Sequence, residues 1–223
     1  MAPGPDPSFA GHRFVITAGG TREPIDPVRY IGNRSSGRMG NELAAAAIRR
    51  GATVTLVTAA VPPAPQTGLD VVPVETADDM YAAVRAALSG ARVLIMAAAV
   101  ADWRAPAVAE QKLKKGSDTL TLQLVPTVDI LGSLRDDPAA AGVFRVGFAA
   151  ETEHVIEHAQ AKLAAKQLDL IVVNDVSQAG IGMGADDNEV TVIDPDGGWQ
   201  SIPRAPKAVV ADAILSAIST RLR

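Results

Sequence analysis

Short apolar runs alternate with helix-forming segments along most of the chain, and this alternation constrains the fold more than any other feature. Phe14–Ala18 (FVITA), Thr53–Thr58 (TVTLVT), Val71–Val74 (VVPV), Val93–Ala98 (VLIMAA), Val143–Ala149 (VFRVGFA) and Leu170–Asn174 (LIVVN) read as strands. Runs this apolar, without a polar face, belong to strands covered on both sides. Gly37–Arg50, Thr76–Leu88 and Glu153–Gln167 read as the intervening helices. Gly51 closes the first of them, and Thr76 caps the second with Asp79 three residues on. Val190–Asp194 and Trp199–Ile202 form a terminal hairpin around Asp196-Gly197-Gly198, followed by a last helix over Pro206–Leu222.

This order predicts an α/β fold, a Rossmann-like doubly wound, mostly parallel sheet. One segment breaks the rhythm. Over 111–125, Lys112-Leu-Lys-Lys115, Gly116-Ser-Asp118 and Thr119-Leu-Thr-Leu-Gln-Leu-Val125 alternate polar and apolar, as an antiparallel hairpin does. Such an insertion covers a ligand, joins two subunits or decorates an edge. Residues 1–10 carry three prolines and a glycine and read as a disordered linker, with structure starting near His12 and one domain over 11–223.

Composition removes whole classes of function. The net charge of −4 excludes a strongly basic nucleic-acid coat, and 4% aromatic residues leave little for base stacking. The longest apolar run, Val93–Ala101, has nine residues, against about 20 for a membrane span. There is no cysteine, hence no disulfide, thiolate metal site or cysteine nucleophile. The start, MAPGPDPSFAGH, has no basic and apolar leader. The expectation is a soluble cytoplasmic protein with neither nucleic-acid nor membrane partners.

In open α/β sheets ligands bind beyond the carboxyl ends of the strands, so the loops there carry the chemistry. The first runs from Ala18 to Gly37, far longer than the usual connection of about 2–6 residues. Gly19 and Gly20 permit a ligand to approach the backbone, and Ser35-Ser36-Gly37 opens a helix whose N–H groups favour an anion. After the fourth strand, Ala98 and Ala99 leave room for a flat ligand or a phosphate, and Asp102 binds a hydroxyl or cation or simply caps a turn. Lys112, Lys114 and Lys115 form either a charge clamp or a solvated face. Phe148 either stacks on a base or fills core, and Lys162 and Lys166 share one helix face. Asn174-Asp175-Val-Ser177 borders the same crevice or only turns the chain. His154 and His158 have no third partner for zinc and read as surface residues. No P-loop and no G-x-G-x-x-G is present, and no acidic residue follows the second strand. Tyr30 and Tyr81 lack the lysine four residues on that a reductase pair requires.

The segments ITAGGTREPIDPVRYIGNRSSGRMG (Ile16–Gly40), AAAVADWR (Ala97–Arg104), EQKLKK (Glu110–Lys115), VGFAAET (Val146–Thr152) and NDVS (Asn174–Ser177) occur in this order. Together they resemble the phosphopantothenoylcysteine synthetase domain of the bacterial bifunctional coenzyme A biosynthesis proteins. That resemblance implies a ligase joining 4′-phosphopantothenate to L-cysteine, with CTP converted to CMP and pyrophosphate through an acyl-cytidylate. It implies Mg²⁺ with the CTP, no flavin in this segment, fusion to an N-terminal flavin-dependent decarboxylase, and a homodimer paired through the hairpin.

By the same resemblance Asn33 contacts the acyl group and Lys112 neutralises phosphate charge. Ala98, Ala99 and Asp102 line the nucleotide pocket, Phe148 packs near the base, and Lys162 and Lys166 complete the CTP site. Thr127, Val128, Asp129 and Ile130 stand where the family often has Asn-Pro-Asp-Ile. Metal ligands stay unassigned. Two other readings are an NAD(P)H-dependent reductase on the same sheet and a catalytically silent nucleotide-binding module.

Overall fold

The computed structural model describes residues 8–116, 119–151, 155–175 and 185–222. In chain order the strands and helices are β1 (Arg13–Ala18), β2 (Arg22–Pro24), β3 (Tyr30–Gly32), α1 (Arg38–Arg49), β4 (Thr53–Thr58), β5 (Leu69–Pro73), α2 (Ala77–Ala87), β6 (Val93–Met96), β7 (Trp103–Arg104), β8 (Val125–Pro126) and α3 (Ile130–Leu134). They continue with β9 (Phe144–Glu151), α4 (Val155–Ala165), β10 (Leu170–Asp175), β11 (Asp187–Ile193), β12 (Trp199–Pro206) and α5 (Lys207–Arg221).

The main sheet has the order β12-β11-β10-β9-β6-β1-β4-β5. All pairs from β5 to β10 are parallel, and β11 and β12 add the terminal antiparallel hairpin. The chain leaves β1 outward through β4 and β5, then returns to lay β6 on the other side of β1. The β1/β6 junction is therefore the switch point at which a doubly wound sheet opens a crevice.

Period-two alternation splits the core. Phe14, Ile16, Val146, Leu170 and Val172 face α1 and α5, whereas Val15, Leu94 and Met96 face α2 and α3. Ile171 and Val173 join that second face under α4. Both faces are covered, which is why the strands read as unbroken apolar runs. Helix α1 lies very close to β1 because Gly40 has no side chain: a Cβ there would stand 2.6 Å from the Thr17 carbonyl oxygen and 2.6 Å from Ala18 Cβ. The cap expected at Thr76 is present, with Oγ1 accepting from the Asp79 N–H at 3.1 Å and Asp79 Oδ2 accepting from the Thr76 N–H at 3.0 Å.

Three expectations are revised. The hairpin over 111–125 is not formed as such: 105–124 hold no strand among the described residues, and the antiparallel pairing is Trp103–Arg104 with Val125–Pro126. A lone two-stranded hairpin is marginal in water. The alternating Leu120, Leu122 and Leu124 are 59%, 40% and 39% exposed. Conversely, the long loop after β1 contains a hairpin that the sequence reading missed, β2 paired with β3.

The third revision moves the start of the folded chain from His12 back to Ser8. Phe9 is 0% exposed, its ring lies 4.8 Å from that of Phe14, and its N–H donates to the Arg50 carbonyl at 2.9 Å. The proline-rich reading of 1–10 passed over this single aromatic anchor; residues 1–7 lie outside the described residues. His154 and Ser177 also lie outside them, and His158 is exposed on α4. Among the described residues no helix is long and apolar enough to cross a membrane.

Candidate functional site

A crevice opens beyond the carboxyl ends of β6, β9 and β10, against the start of α1. Its walls are 35–40, Ala97–Ala99, Phe148–Ala150, Asn174, Asn188 and Lys207. Buried hydroxyls hold the backbone after β6 against the loop after β1. Thr17 Oγ1 accepts from the Ala98 N–H at 3.0 Å and Thr21 Oγ1 from the Ala101 N–H at 2.8 Å. The Ala99 N–H donates to the Gly19 carbonyl at 2.8 Å. Because these contacts are made by backbone and by threonines beneath it, Ala98 and Ala99 present a bare wall.

Asn33 is tied to that wall: its Nδ2 donates to the carbonyls of Ala99 at 3.3 Å and Val100 at 3.0 Å. The structure thus brings together Asn33, Ser35, Ser36, Gly37, Ala98, Ala99 and Phe148. Gly19 and Gly20, expected to approach the ligand, do not line the crevice. The Asn33 carbonyl oxygen stands 2.6 Å from where a Gly20 Cβ would be, and Ala60 crowds Gly19 in the same way. The loop folds back on itself, so these two glycines are spent on internal packing. Gly37 is the N-cap of α1 with φ 77°, it has no side-chain cap, and no acidic residue occupies the first turn. The N–H groups of that turn lie at the crevice wall, where the sequence placed an anion site.

The other predicted nucleotide residues gather on the α2/α3/α4 face. Thr127 Oγ1 donates to the Ala101 carbonyl at 2.5 Å and its N–H to the Asp102 carbonyl at 3.0 Å, which pins 127–130 beside Asp102. Val128 is half-buried and Ile130 buried. Asp129 caps α3 through the Gly132 N–H at 3.1 Å and receives Lys166 Nζ at 2.8 Å. Burial works against its ionisation, but the Lys166 and Gly132 hydrogen bonds outweigh it and hold the carboxyl below its ordinary value. Lys162 is exposed one turn earlier on α4, and Asp102 is also exposed.

Lys112 is exposed and does not line the crevice. Its neighbour Leu113 is held through both of its backbone polar groups: its N–H donates to Asp26 Oδ2 at 3.1 Å, and Arg29 Nη2 donates to its carbonyl at 2.7 Å. The Ala109 N–H donates to Ile25 at 3.0 Å. Asp26 is 2% exposed and also accepts from the N–H groups of Val28 and Arg29, each at 2.8 Å. The Arg29 guanidinium beside it, together with these N–H groups, holds its carboxyl far below the usual carboxylate range. A depressed native pKa stabilises the fold above the unfolded value of about 3.9, and the benefit fades as pH falls toward the native value. Asp26→Asn should therefore lower the urea midpoint more at about pH 7 than at about pH 2.5. An equal loss at both pH values would contradict this.

Asn188 and Lys207 are wall residues that lie outside every segment the sequence reading gave to the site. Asn188 is 3% exposed and Lys207 is 7% exposed. The available signal was a lysine heading a mostly apolar helix, KAVVADAILSAI. Among the described residues no three His, Asp or Glu side chains converge as a metal-binding group.

Residues 9–222 match the family model of the DNA/pantothenate metabolism flavoprotein C-terminal domain. The coenzyme A biosynthesis bifunctional protein CoaBC of Vibrio cholerae is 43% identical over 220 residues, covering 96% of this chain and 54% of that protein. The chain thus spans about half the length of the curated relatives it matches. A crystal structure of the C-terminal domain of a CoaBC protein superimposes with a TM-score of 0.80 at 38% identity, covering 97% of this chain and 98% of that one. A Cab2 variant solved in complex with phosphopantothenate-cysteine shares the fold, with a TM-score of 0.77 at 18% identity over 95% of this chain and 86% of its own. The α/β sheet, the crevice at its switch point and these matches agree: the chain belongs to the family of DNA/pantothenate metabolism flavoprotein C-terminal domains.

Proposed function

We propose that the chain is a CTP-dependent ligase of coenzyme A biosynthesis, joining 4′-phosphopantothenate to L-cysteine. The observation that carries this reading is the union of Asn33 with the bare Ala98–Ala99 wall at the switch point. The carboxylate of phosphopantothenate attacks the α-phosphorus of CTP, and pyrophosphate leaves. The cysteine amine then attacks the acyl carbon of the mixed anhydride, CMP departs with one carboxylate oxygen, and the amine loses a proton to solvent. Neither step needs a nucleophile from the protein; both need alignment and charge neutralisation. The small-residue wall accepts the reacting phosphate, Asn33 holds the acyl group, and Phe148 packs by the cytosine. Backbone atoms of 127–130 read the base edge, while Lys162 and Lys166 steady the nucleotide.

Mg²⁺ is a hard cation that keeps much of its shell on nucleotide phosphates and needs only one or two protein carboxylates. The exposed Asp102 beside the alanine wall fits that demand, and the ion when bound neutralises triphosphate charge. The natural partners in this reading are a second copy, paired through the segment 111–125 with its exposed leucines, and a flavin-dependent decarboxylase domain on the N-terminal side. Relatives named bifunctional support the latter. The protein works in the cytoplasm. A nicotinamide reductase has no comparable support: β4 ends in Thr58, whose Oγ1 accepts from the Ala60 N–H at 3.1 Å, where an acidic ribose ligand would be required.

The test is pyrophosphate release on mixing the protein with phosphopantothenate, CTP, Mg²⁺ and cysteine. Release that requires both acid and CTP supports the ligase, and CTP binding without turnover would reduce the protein to a silent nucleotide-binding module. Lys112 does not line the crevice, but the resemblance gives it the neutralisation of phosphate charge, so Lys112→Gln should slow turnover by about tenfold, or about 1.4 kcal/mol of barrier. Unchanged turnover would remove Lys112 from the site.

A further inference from the structure

We propose that a second site, at the end of the sheet opposite the crevice, binds a small oxyanion, a carboxylate or a phosphate group, on the guanidinium of Arg145. The crevice lies at the carboxyl ends of β6, β9 and β10. A cavity of about 580 Å³ opens at the amino ends of the same three strands. Its walls include Arg92, just before β6, Arg145, the second residue of β9, Asp169, just before β10, and Arg221 at the end of α5. The turn 135–143 forms the rest of the wall. None of these residues is assigned to ligation, so the site does not depend on the ligase reading.

Arg145 is the centre of the site. A Cβ on Gly147 would meet Leu131 and Leu168, so period two puts the Arg145 side chain on that same α3/α4 side of β9. Its Nη2 donates to the carbonyl of Gln167, just after α4, at 2.8 Å. Its Nε and Nη1 are shut off from solvent and have no partner among the described residues. A guanidinium carries five N–H donors, no acceptor and a permanent charge. What Nε and Nη1 lack is therefore an acceptor, and an anionic one forms the stronger bond. A buried donor left unpaired is costly, and water does not relieve it at atoms that water does not reach. Because the side chain already lines the cavity, a change of its outer torsions turns those nitrogens toward a ligand there.

The carboxylates nearby are matched elsewhere. Asp137 receives Arg85 at 2.5 Å, and Asp136 receives Arg135 at 2.8 Å. Asp169 accepts from the backbone N–H of Arg145 at 2.7 Å, and Arg221 turns to Asp194 at 2.6 Å. The Arg145 guanidinium is thus bonded to no carboxylate among the described residues. Arg92, whose Nη1 donates to the Gly142 carbonyl at 3.4 Å, adds a second positive charge to the cavity. The wall aspartates repel a polyanion, so the ligand is one that presents a single carboxylate or phosphate group.

The test follows the arginine Nε–H resonances of ¹⁵N-labelled protein by NMR, at constant ionic strength held with chloride. The Arg145 signal is identified by its loss in Arg145→Lys. Titration with inorganic phosphate, and separately with acetate, should move that signal and saturate with a Kd of about 1 mM for the better ligand. Tighter binding of phosphate marks a phosphate site, and tighter binding of acetate a carboxylate site. Because the signal belongs to Arg145 itself, an anion held in the crevice does not imitate the result. Arg92→Gln, which leaves Arg145 in place, should weaken binding by about threefold or more. A signal that neither anion moves, a shift that chloride reproduces, or an affinity that Arg92→Gln leaves unchanged would overturn the site.

Discussion

Asn33→Asp should stop the reaction half-way, with product formation falling roughly a hundredfold, or about 2.7 kcal/mol of barrier. The side-chain amide donates to two carbonyl oxygens, those of Ala99 and Val100. A carboxylate in its place would set negative charge against both, so the side chain must leave the wall. Activation by CTP is driven by triphosphate alignment and should continue. Attack by cysteine, which needs the acyl group held, should fail, so acyl-cytidylate should accumulate in quenched reactions analysed by mass spectrometry. Wild-type rates, or a slow variant without the intermediate, would take the role from Asn33.

The largest effect on stability should come from Phe9→Ala. This ring is fully buried, lies 4.8 Å from that of Phe14 and sits under the Arg50 guanidinium at 6.0 Å. Truncating a buried phenylalanine costs about 3–5 kcal/mol. For a chain of this size that corresponds to a fall in Tm of roughly 6–20 °C. Phe9→Leu, which keeps most of the volume, should cost about 1.5 kcal/mol or less. Calorimetric melting checks both, and equal melting of Phe9→Ala and wild type would show that the folded chain begins after residue 9.

The fold was legible where one physical signal dominates. A strand covered on both faces has no polar positions, so the central strands could be read from VLIM or LIVVN alone, to within a residue or two. The Thr76 cap was legible for the same reason: Thr and Asp three apart satisfy each other locally. Segments whose state depends on remote partners were not legible. The alternation over 119–125 satisfies the strand pattern, yet its leucines stay exposed among the described residues. Phe9 looked like linker because its partners, Phe14 and Arg50, follow at a distance in sequence. At the site, the backbone wall of Ala98–Ala99 and the α1 start could be read from small residues and from Ser-Ser-Gly. Lys207 could not, because a lysine on an apolar helix is ordinarily solvated, and only the packing of α5 on α1 and β11 buries it. Gly19 and Gly20 show the opposite error: freedom of approach is visible in sequence, but not whether a ligand or the loop itself takes up the space.

The most direct measurement follows the oxygen atoms. Phosphopantothenate labelled with ¹⁸O in its carboxylate is mixed with the protein, CTP, Mg²⁺ and cysteine, and the released CMP is weighed by mass spectrometry. Activation through an acyl-cytidylate delivers one labelled oxygen to each CMP, with pyrophosphate formed in equal amount. Unlabelled CMP, or CDP with labelled inorganic phosphate, would contradict attack of the carboxylate on the α-phosphorus.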